Sequence, residues 1–299
     1  MSELLRVEHL KKYFTTPRGI LHAVDDVSFT LGKTILRLEE PTDGKVVFDG
    51  KCITDMSRAE FKPMRKSMQM IFQDPYASLD PRMSISSIIA EPFEIYPELC
   101  PKKERTERVM ELMKTVGLAE RFYNSYPHEL DGGRRQRIGI AKALALDPAF
   151  IVCDEPVSAL DVSIQAQILN LLMDLQEERQ ISYIFVTHDL SVVEHISDDI
   201  CVMYLGQVVE LCPSDELFED PRHPYTQALL SAIPVPSLHD RRERQLLKGE
   251  LTSPIDPKPG CRFAPRCPYA TELCFTETPE LKEGSKGHFT ACHKTAGML

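Results

Sequence analysis

The chain contains no apolar run approaching the roughly 20 residues that a membrane-spanning helix requires, so it is not expected to cross a bilayer by itself. It also lacks an excess of basic residues: 35 Lys and Arg stand against 45 Asp and Glu, a net charge of −10. Phosphate backbones reward clustered positive charge, so this balance argues against a nucleic-acid partner. The first residues, MSELLRVEHLKKYF, carry charges where a secretory leader needs an apolar stretch, which predicts a cytoplasmic chain. No internal repeat and no long low-complexity tract interrupts the 299 residues. What is present is an apolar fraction of 42%, enough for a sizeable core in one large domain or a domain with an appendage. Nine cysteines in a reducing compartment are not expected to pair as disulfides, so any cluster of them is a candidate metal site.

Residues 1 to about 55 read as short strands. Val27, Phe29 and Leu31 alternate with Ser28 and Thr30, the period of a half-buried strand, and GKVVFDGKCI forms a second strand piece around Gly44 and Gly50. From Asp74 to about Asn124 the pattern turns helical, with Val109, Leu112, Met113 and Val116 at helical spacing. A helix then follows Gly132-Gly133, carrying Ile138, Ala141, Leu144 and Ala145 on one stripe. The continuous apolar run AFIVCDEP reads as a parallel strand buried on both faces. Another helix carries Ile164, Ile168, Leu171, Leu172 and Leu175 and leads into a second buried strand, SYIFVTHD. Strand, helix and strand in this rhythm predict a right-handed parallel α/β core. Beyond Cys212 the chain becomes rich in proline and ends in a cysteine-bearing tail.

The chemistry concentrates at strand ends. In FIVCDEPVSALD, Asp154 closes a buried strand, where α/β folds place ligand chemistry. An aspartate there can hold Mg²⁺ through its water shell, and Glu155 beside it can polarise an attacking water. Taken alone, the pair is equally an acidic cap before a proline turn. His188 follows the next apolar strand in FVTHDLSVV, where a neutral imidazole could bond a phosphate or its attacking water, or simply cap a helix. Gln73 follows Met70, Ile71 and Phe72, a third strand end, from which an amide reaches metal and water or stands as a polar loop residue. In HELDGGRRQRIGIAKALA, Gly132 and Gly133 open a helix whose first N–H groups can bind an anion, or form an ordinary glycine turn.

These four features in this order resemble the ATP-binding subunits of ABC transporters. DGGRRQR stands where that family has its signature loop, CDEP matches its Walker B, and SALD, ending in Asp161, matches its D-loop. Gln73 and His188 match the Q-loop and switch histidine. The resemblance gives Glu155, His188 and Gln73 catalytic roles, Asp154 and Gln73 the Mg²⁺, and Asp131, Gly132, Gly133, Arg134 and Asp161 contacts to ATP. Tyr13, in LKKYF, becomes an adenine-stacking aromatic, or else an anchor for an N-terminal strand. FQDPYASLDPR and HPYTQALLSAIP (His223 to Pro234) narrow the likeness to the oligopeptide and dipeptide importer branch. The implied fold is an ABC-type nucleotide-binding domain: a parallel α/β core, an antiparallel β subdomain, and a helical subdomain at about 74–145. The domain spans 1–212, and an extension spans 213–299. In that branch two such subunits, identical or different, pair head to tail beneath two membrane-spanning permease subunits. They lie on the cytoplasmic face and are served by a peptide-binding protein. A soluble ABC-type ATPase of translation or repair fits less well, given the peptide-type Q-loop stretch, the tail and the acidic charge.

Cys261, Cys267, Cys274 and Cys292 fall within the tail. Four thiolates can complete a Zn²⁺ site or hold an iron–sulfur cluster, and their spacing is wider than a C-x₂-C knuckle. Some members of the importer branch carry a [4Fe–4S] centre in a similar tail, and the resemblance maps these same four residues, with His293 a spare ligand. The alternative is unligated thiols packing a loop, in a segment with few apolar residues to hold it. Cys52, Cys100, Cys153, Cys201 and Cys212 read as structural.

Two places depart from the family. A phosphate-binding loop needs G-x-x-x-x-G-K-[ST] between a buried strand and a helix. Gly32-Lys33-Thr34 supplies its end, but five residues before Gly32 stands Val27, inside the amphipathic strand. The family has about 20 further residues there, so Lys33 and Thr34 are not expected to be the Walker A pair. The absent strand is expected beside the one bearing Asp154, and its loss exposes backbone edges. The family's signature serine and glutamine are Asp131 and Arg134 here. A carboxylate in place of that serine repels a γ-phosphate by roughly 4 kcal/mol at about 4 Å and an effective dielectric near 20, with Arg134 offsetting part. The expectation is an ATP-binding subunit with a defective site, or a non-hydrolytic scaffold whose partner does the chemistry.

Overall fold

The structure is a computed structural model that describes residues 3–27, 32–233, 247, 249, 253–285 and 287–296. Among the described residues eleven strands run in chain order: β1 (Leu5–Thr16), β2 (Gly19–Val27), β3 (Asp43–Phe48), β4 (Lys51–Cys52), β5 (Met68–Ile71), β6 (Phe150–Asp154), β7 (Ser182–Val186), β8 (Asp199–Tyr204), β9 (Gln207–Pro213), β10 (Lys282–Ser285) and β11 (His288–Thr290). They form three sheets, ordered β2-β1-β3-β4, β10-β11-β9-β8 and β5-β6-β7. The chain divides into two compact units, Met1–Asp55 with Asp189–Leu299, and Met56–His188.

The first unit holds the two antiparallel sheets. Val7 and Leu10 of β1, Val24 and Val27 of β2, and Val46 and Phe48 of β3 are buried. Val46 and Phe48 keep the two-residue period of a strand, whereas Val7 and Leu10, like Val24 and Val27, are three apart and reach the same side because the strands shift register there, with His9 and Asp26 at positive φ. Asp49 and Gly50, both at positive φ, make the two-residue turn that joins β3 to β4. β2 ends at Val27, so the rest of the predicted alternation, Ser28 to Leu31, lies outside the described residues.

In the second antiparallel sheet the tail strand β11 pairs with β9. Glu210, in the middle of β9, is fully buried and accepts hydrogen bonds from Arg222 N at 2.7 Å, His223 N at 3.1 Å and His288 Nε2 at 2.8 Å. The other ring nitrogen of His288 lies 3.2 Å from Glu216, so the imidazole stands between two carboxylates. His223 is also buried, and its Nδ1 accepts the N–H of Tyr225 to cap the helix Pro224–Ser231, with Pro224 at the first position. Tyr225, Tyr204 and Phe263 then form an edge-packed cluster with ring centroids 4.7–5.4 Å apart. The tail therefore has its own fastening, contrary to the expectation that few apolar residues hold it.

The second unit joins a helical group to the parallel sheet. Val109, Leu112, Met113 and Val116 are buried as their spacing predicts, against Ile85, Ile88, Ile89 and Phe93 of the helix Ile85–Ile95 and Ile138, Ile140 and Leu144 of the helix Gly132–Leu144. Strand β6 is buried over Phe150 to Cys153 and lies parallel between β5 and β7. This corrects one expectation: the strand bearing Asp154 has neighbours on both sides, so no gap lies beside it. A second expectation is also corrected. β7 reads as a strand buried on both faces, yet only Ile184 of its five residues is buried. Among the described residues β7 pairs with β6 alone and forms an edge of the sheet.

Candidate functional site

Parallel pairing sets the site. Ile71 is level with Cys153, and Asp154 with Val186. Gln73, Asp154 and His188 therefore leave three neighbouring strands at the same C-terminal edge, the position where open α/β sheets bind ligands. Glu155 turns the chain there with φ of 46°, a left-handed conformation uncommon for a residue with a side chain, while its N–H donates to Val186 O at 2.8 Å. Its carboxylate becomes the meeting point. Gln73 Nε2 donates to Oε2 at 2.6 Å, and His188 Nδ1 lies 3.1 Å from Oε1. A carboxylate only accepts, so Nδ1 carries the hydrogen and Nε2 of His188 is left to face a ligand as an acceptor when the ring is neutral. The His188 ring is 73% exposed and the Glu155 side chain 24% exposed, which makes the edge open to solvent and its base partly shielded.

Asp131 caps the helix Gly132–Leu144: Oδ1 accepts Arg134 N at 2.8 Å and Oδ2 accepts Arg134 Nη1 at 2.5 Å. The carboxylate is thus satisfied locally by the residue three positions on. The two glycines serve packing as well as any anion. A Cβ on Gly133 would lie 2.5 Å from Ile164 Cγ2, and one on Gly132 3.2 Å from Leu160 Cδ2. Asp161 caps the helix Val162–Arg179 through its carbonyl, which accepts Gln165 N at 2.8 Å, and its side chain makes no cap bond.

Gly32, Lys33 and Thr34 lie in a four-residue helix, Gly32–Ile35. Thr34 is buried, the Lys33 carbonyl accepts Leu38 N at 2.9 Å and the Thr34 carbonyl accepts Arg37 N at 3.1 Å. A buried threonine hydroxyl is not placed to meet an external phosphate or its metal ion. The strand, glycine curl and helix of a phosphate loop are not found among the described residues.

Tyr13 lies in the other unit, on β1. Its hydroxyl donates to Asp25, and its ring lies 4.2 Å from that of His22 across the strand pair. Burial, then the hydrogen bond to Asp25 and that residue's negative charge, push the phenol up, so it stays a donor.

The tail cysteines are gathered but not converged. Cys261 N donates to Cys274 O at 2.7 Å, an approach that Gly260 at φ of 102° permits. Burial pushes the Cys261 and Cys267 thiols up, with smaller contributions from Cys274 and Cys292. Among the described residues no three His, Cys, Asp or Glu side chains are set to hold a metal ion. His293 Nε2 instead donates to Glu277 O at 2.9 Å. Cys153 is buried, and burial pushes Cys201 and Cys212 up to about 12, as befits inert thiols.

The ABC transporter family model matches residues 29–158, and that of the oligopeptide/dipeptide transporter C-terminal region matches residues 209–274. The oligopeptide transport ATP-binding protein AppF of Bacillus subtilis (strain 168) is 48% identical over 319 positions, with 97% of each chain covered. OppF of the same organism is 48% identical over 311 positions, covering 97% of this chain and 96% of that one. Both alignments exceed the 299 residues of this chain, so each relative carries residues that have no counterpart here. Among solved structures, a dimeric ATP-binding cassette, MJ0796, in a post-hydrolysis state with ADP and Pi bound superposes with a TM-score of 0.64 at 27% identity, over 71% of this chain and 99% of that one. With its strand-end carboxylates and its capped tail, the chain belongs to the ATP-binding subunits of ABC transporters, in their oligopeptide/dipeptide branch.

Proposed function

We propose that the chain serves peptide import as an ATP-binding subunit whose catalytic edge is complete and whose own phosphate cradle is missing. The observation that carries this reading is the convergence of Gln73 and His188 on Glu155, next to Asp154. ATP and Mg²⁺ belong to the family, and the residues fit them unevenly. Asp154 and Gln73 suit the metal and Glu155 suits a water. Nothing described around Lys33 and Thr34 suits the phosphates. The alignments longer than this chain and the bare edge at β7 support the reading that a strand-and-loop segment of the family is absent. At the signature loop the Asp131–Arg134 pair brings a carboxylate where the family has a serine, but with its charge already matched. The subunit works against two permease subunits on the cytoplasmic face, paired with a second ATP-binding subunit, and a peptide-binding protein delivers the cargo. For the tail, four thiols in one segment suit a [4Fe–4S] cluster or Zn²⁺ by donor chemistry, and iron and zinc content after anaerobic purification checks it.

A second reading, a non-hydrolytic scaffold whose partner performs the chemistry, is favoured by the buried Thr34. Turnover separates the two. The chain is assembled with its permease and a partner ATP-binding subunit, and Glu155→Gln is introduced in this chain alone. Loss of about 10²-fold or more in ATP turnover is expected if this edge works on a nucleotide cradled elsewhere, and unchanged turnover supports the scaffold.

A further inference from the structure

Two distant segments of the first unit meet at one carboxylate. Asp25 on β2 accepts the Tyr13 hydroxyl on Oδ1, while Oδ2 accepts His22 Nδ1 at 2.9 Å and the guanidinium of Arg262 from the tail. The Arg262 side chain is 7% exposed, and its second amino group donates to the carbonyl of Leu205 in the β8–β9 turn. That turn is pressed onto β2: Asp25 N donates to Gly206 O at 3.0 Å, and a Cβ on Gly206 would come within 2.8 Å of the His22 and Ala23 carbonyl oxygens. Just upstream in the tail, Asp256 and Ile20 exchange hydrogen bonds at 2.9 and 3.0 Å, and His22 N donates to Pro254 O at 3.1 Å.

A buried guanidinium is costly unless its donors are used and its charge is met, and removing one partner leaves the other stranded. Here the charge is met by the carboxylate that receives the Tyr13 hydroxyl. A two-point hold on Asp25 fixes where that hydroxyl must point, and the cross-strand His22 ring limits how the tyrosine ring can tilt.

We propose that Arg262 and Asp25 are positioning residues for Tyr13, so that the cysteine-bearing tail, and not β1 alone, sets where the aromatic ring stands. The proposal rests on the reading of Tyr13 as the adenine-stacking aromatic. It also makes that platform a composite of residues some 240 positions apart, with Arg262 next in the chain to Cys261.

The test uses the full chain labelled with 3-fluorotyrosine, the Tyr13→Phe variant assigning the Tyr13 signal among nine tyrosines. Arg262→Ala is expected to shift and broaden the Tyr13 fluorine resonance while that of Tyr183, in the other unit, stays in place. Arg262→Lys, which keeps the charge, is expected to return part of the shift. A Tyr13 signal unmoved in Arg262→Ala overturns the proposal. Should that variant fail to fold, Asp25→Asn carries the test with the same two outcomes. Mg-ATP added to the labelled chain assembled with its permease and a partner ATP-binding subunit distinguishes the two ideas. A signal that answers Arg262→Ala but not ATP leaves the positioning role standing and rejects the base-stacking role. A signal that answers ATP but not Arg262→Ala does the reverse.

Discussion

The tail sheet and the parallel sheet differ in how their ends are finished. In β10-β11-β9-β8 a buried glutamate has three donors, its histidine partner has a second carboxylate, and an aromatic cluster closes one end. In β5-β6-β7 the central strand is fully covered, yet β7 ends the sheet with Tyr183, Phe185 and Val186 only half buried. Among the described residues the buried Tyr183 hydroxyl has no hydrogen-bond partner. The tail sheet is therefore a finished structure, whereas the sheet that bears the candidate site has Gln73, Asp154 and His188 at one edge and, among the described residues, its β7 side open. Under the proposed function, chemistry-bearing side chains and the scaffold that cradles a substrate part company: strand-end residues need only three paired strands, while a phosphate cradle needs a further strand and a glycine loop.

The largest expected effect lies in the finished sheet. Glu210→Ala strands His288 and two backbone N–H groups in a dry interior, and should cost about 3–5 kcal/mol in denaturant unfolding. A loss under about 1 kcal/mol would mean that the pair does not finish the sheet. Acid should strike the same region. Burial lowers His223 to about 4 from an ordinary 6.5, and its Nδ1 must stay unprotonated to accept Tyr225 N. The unfolded chain binds the proton first, so stability is full above about 6.5 and declines by roughly 3 kcal/mol as the pH falls towards 4. His223→Gln should flatten that decline in melts followed between pH 7 and 4.

The open sheet can be tested by completing it. Inserting an apolar strand and a G-x-x-x-x-G-K-[ST] loop after Val27 should cover part of β7 and add about 2 kcal/mol, since each half-buried apolar side chain gains part of its transfer energy. Slower amide exchange in β7 would register this, and unchanged exchange would remove the argument that β7 lacks a neighbour. The smallest effect belongs to the signature helix. Asp131→Ala should cost about 1 kcal/mol through the lost cap. Arg134→Ala should cost about 0.5 kcal/mol or less, because that ion pair is half exposed.

Much of the placement of the candidate site was legible in the sequence because each strand end is a local pattern: an apolar run, then Gln73, Asp154 or His188. The meeting of Gln73 and His188 on Glu155 was not legible, since it depends on strand order and on a left-handed Glu155. Order is also why the open edge was expected beside Asp154 and is found at β7; pairing is non-local, and an apolar run reports burial of a strand in its usual setting, not which neighbour is present. Gly133 read as an anion-binding turn, but the contact with Ile164 comes from a helix 30 residues on. Glu210 with His288, and Asp25 with Arg262, gave no local signal, because each pair joins segments 78 and 237 residues apart.

The central claim, a complete catalytic edge without a phosphate cradle, is tested most directly by titrating Mg-ATP into the isolated chain in a calorimeter. The account predicts no saturable binding up to about 1 mM, weaker than roughly −4 kcal/mol. Micromolar binding by the isolated chain would contradict it.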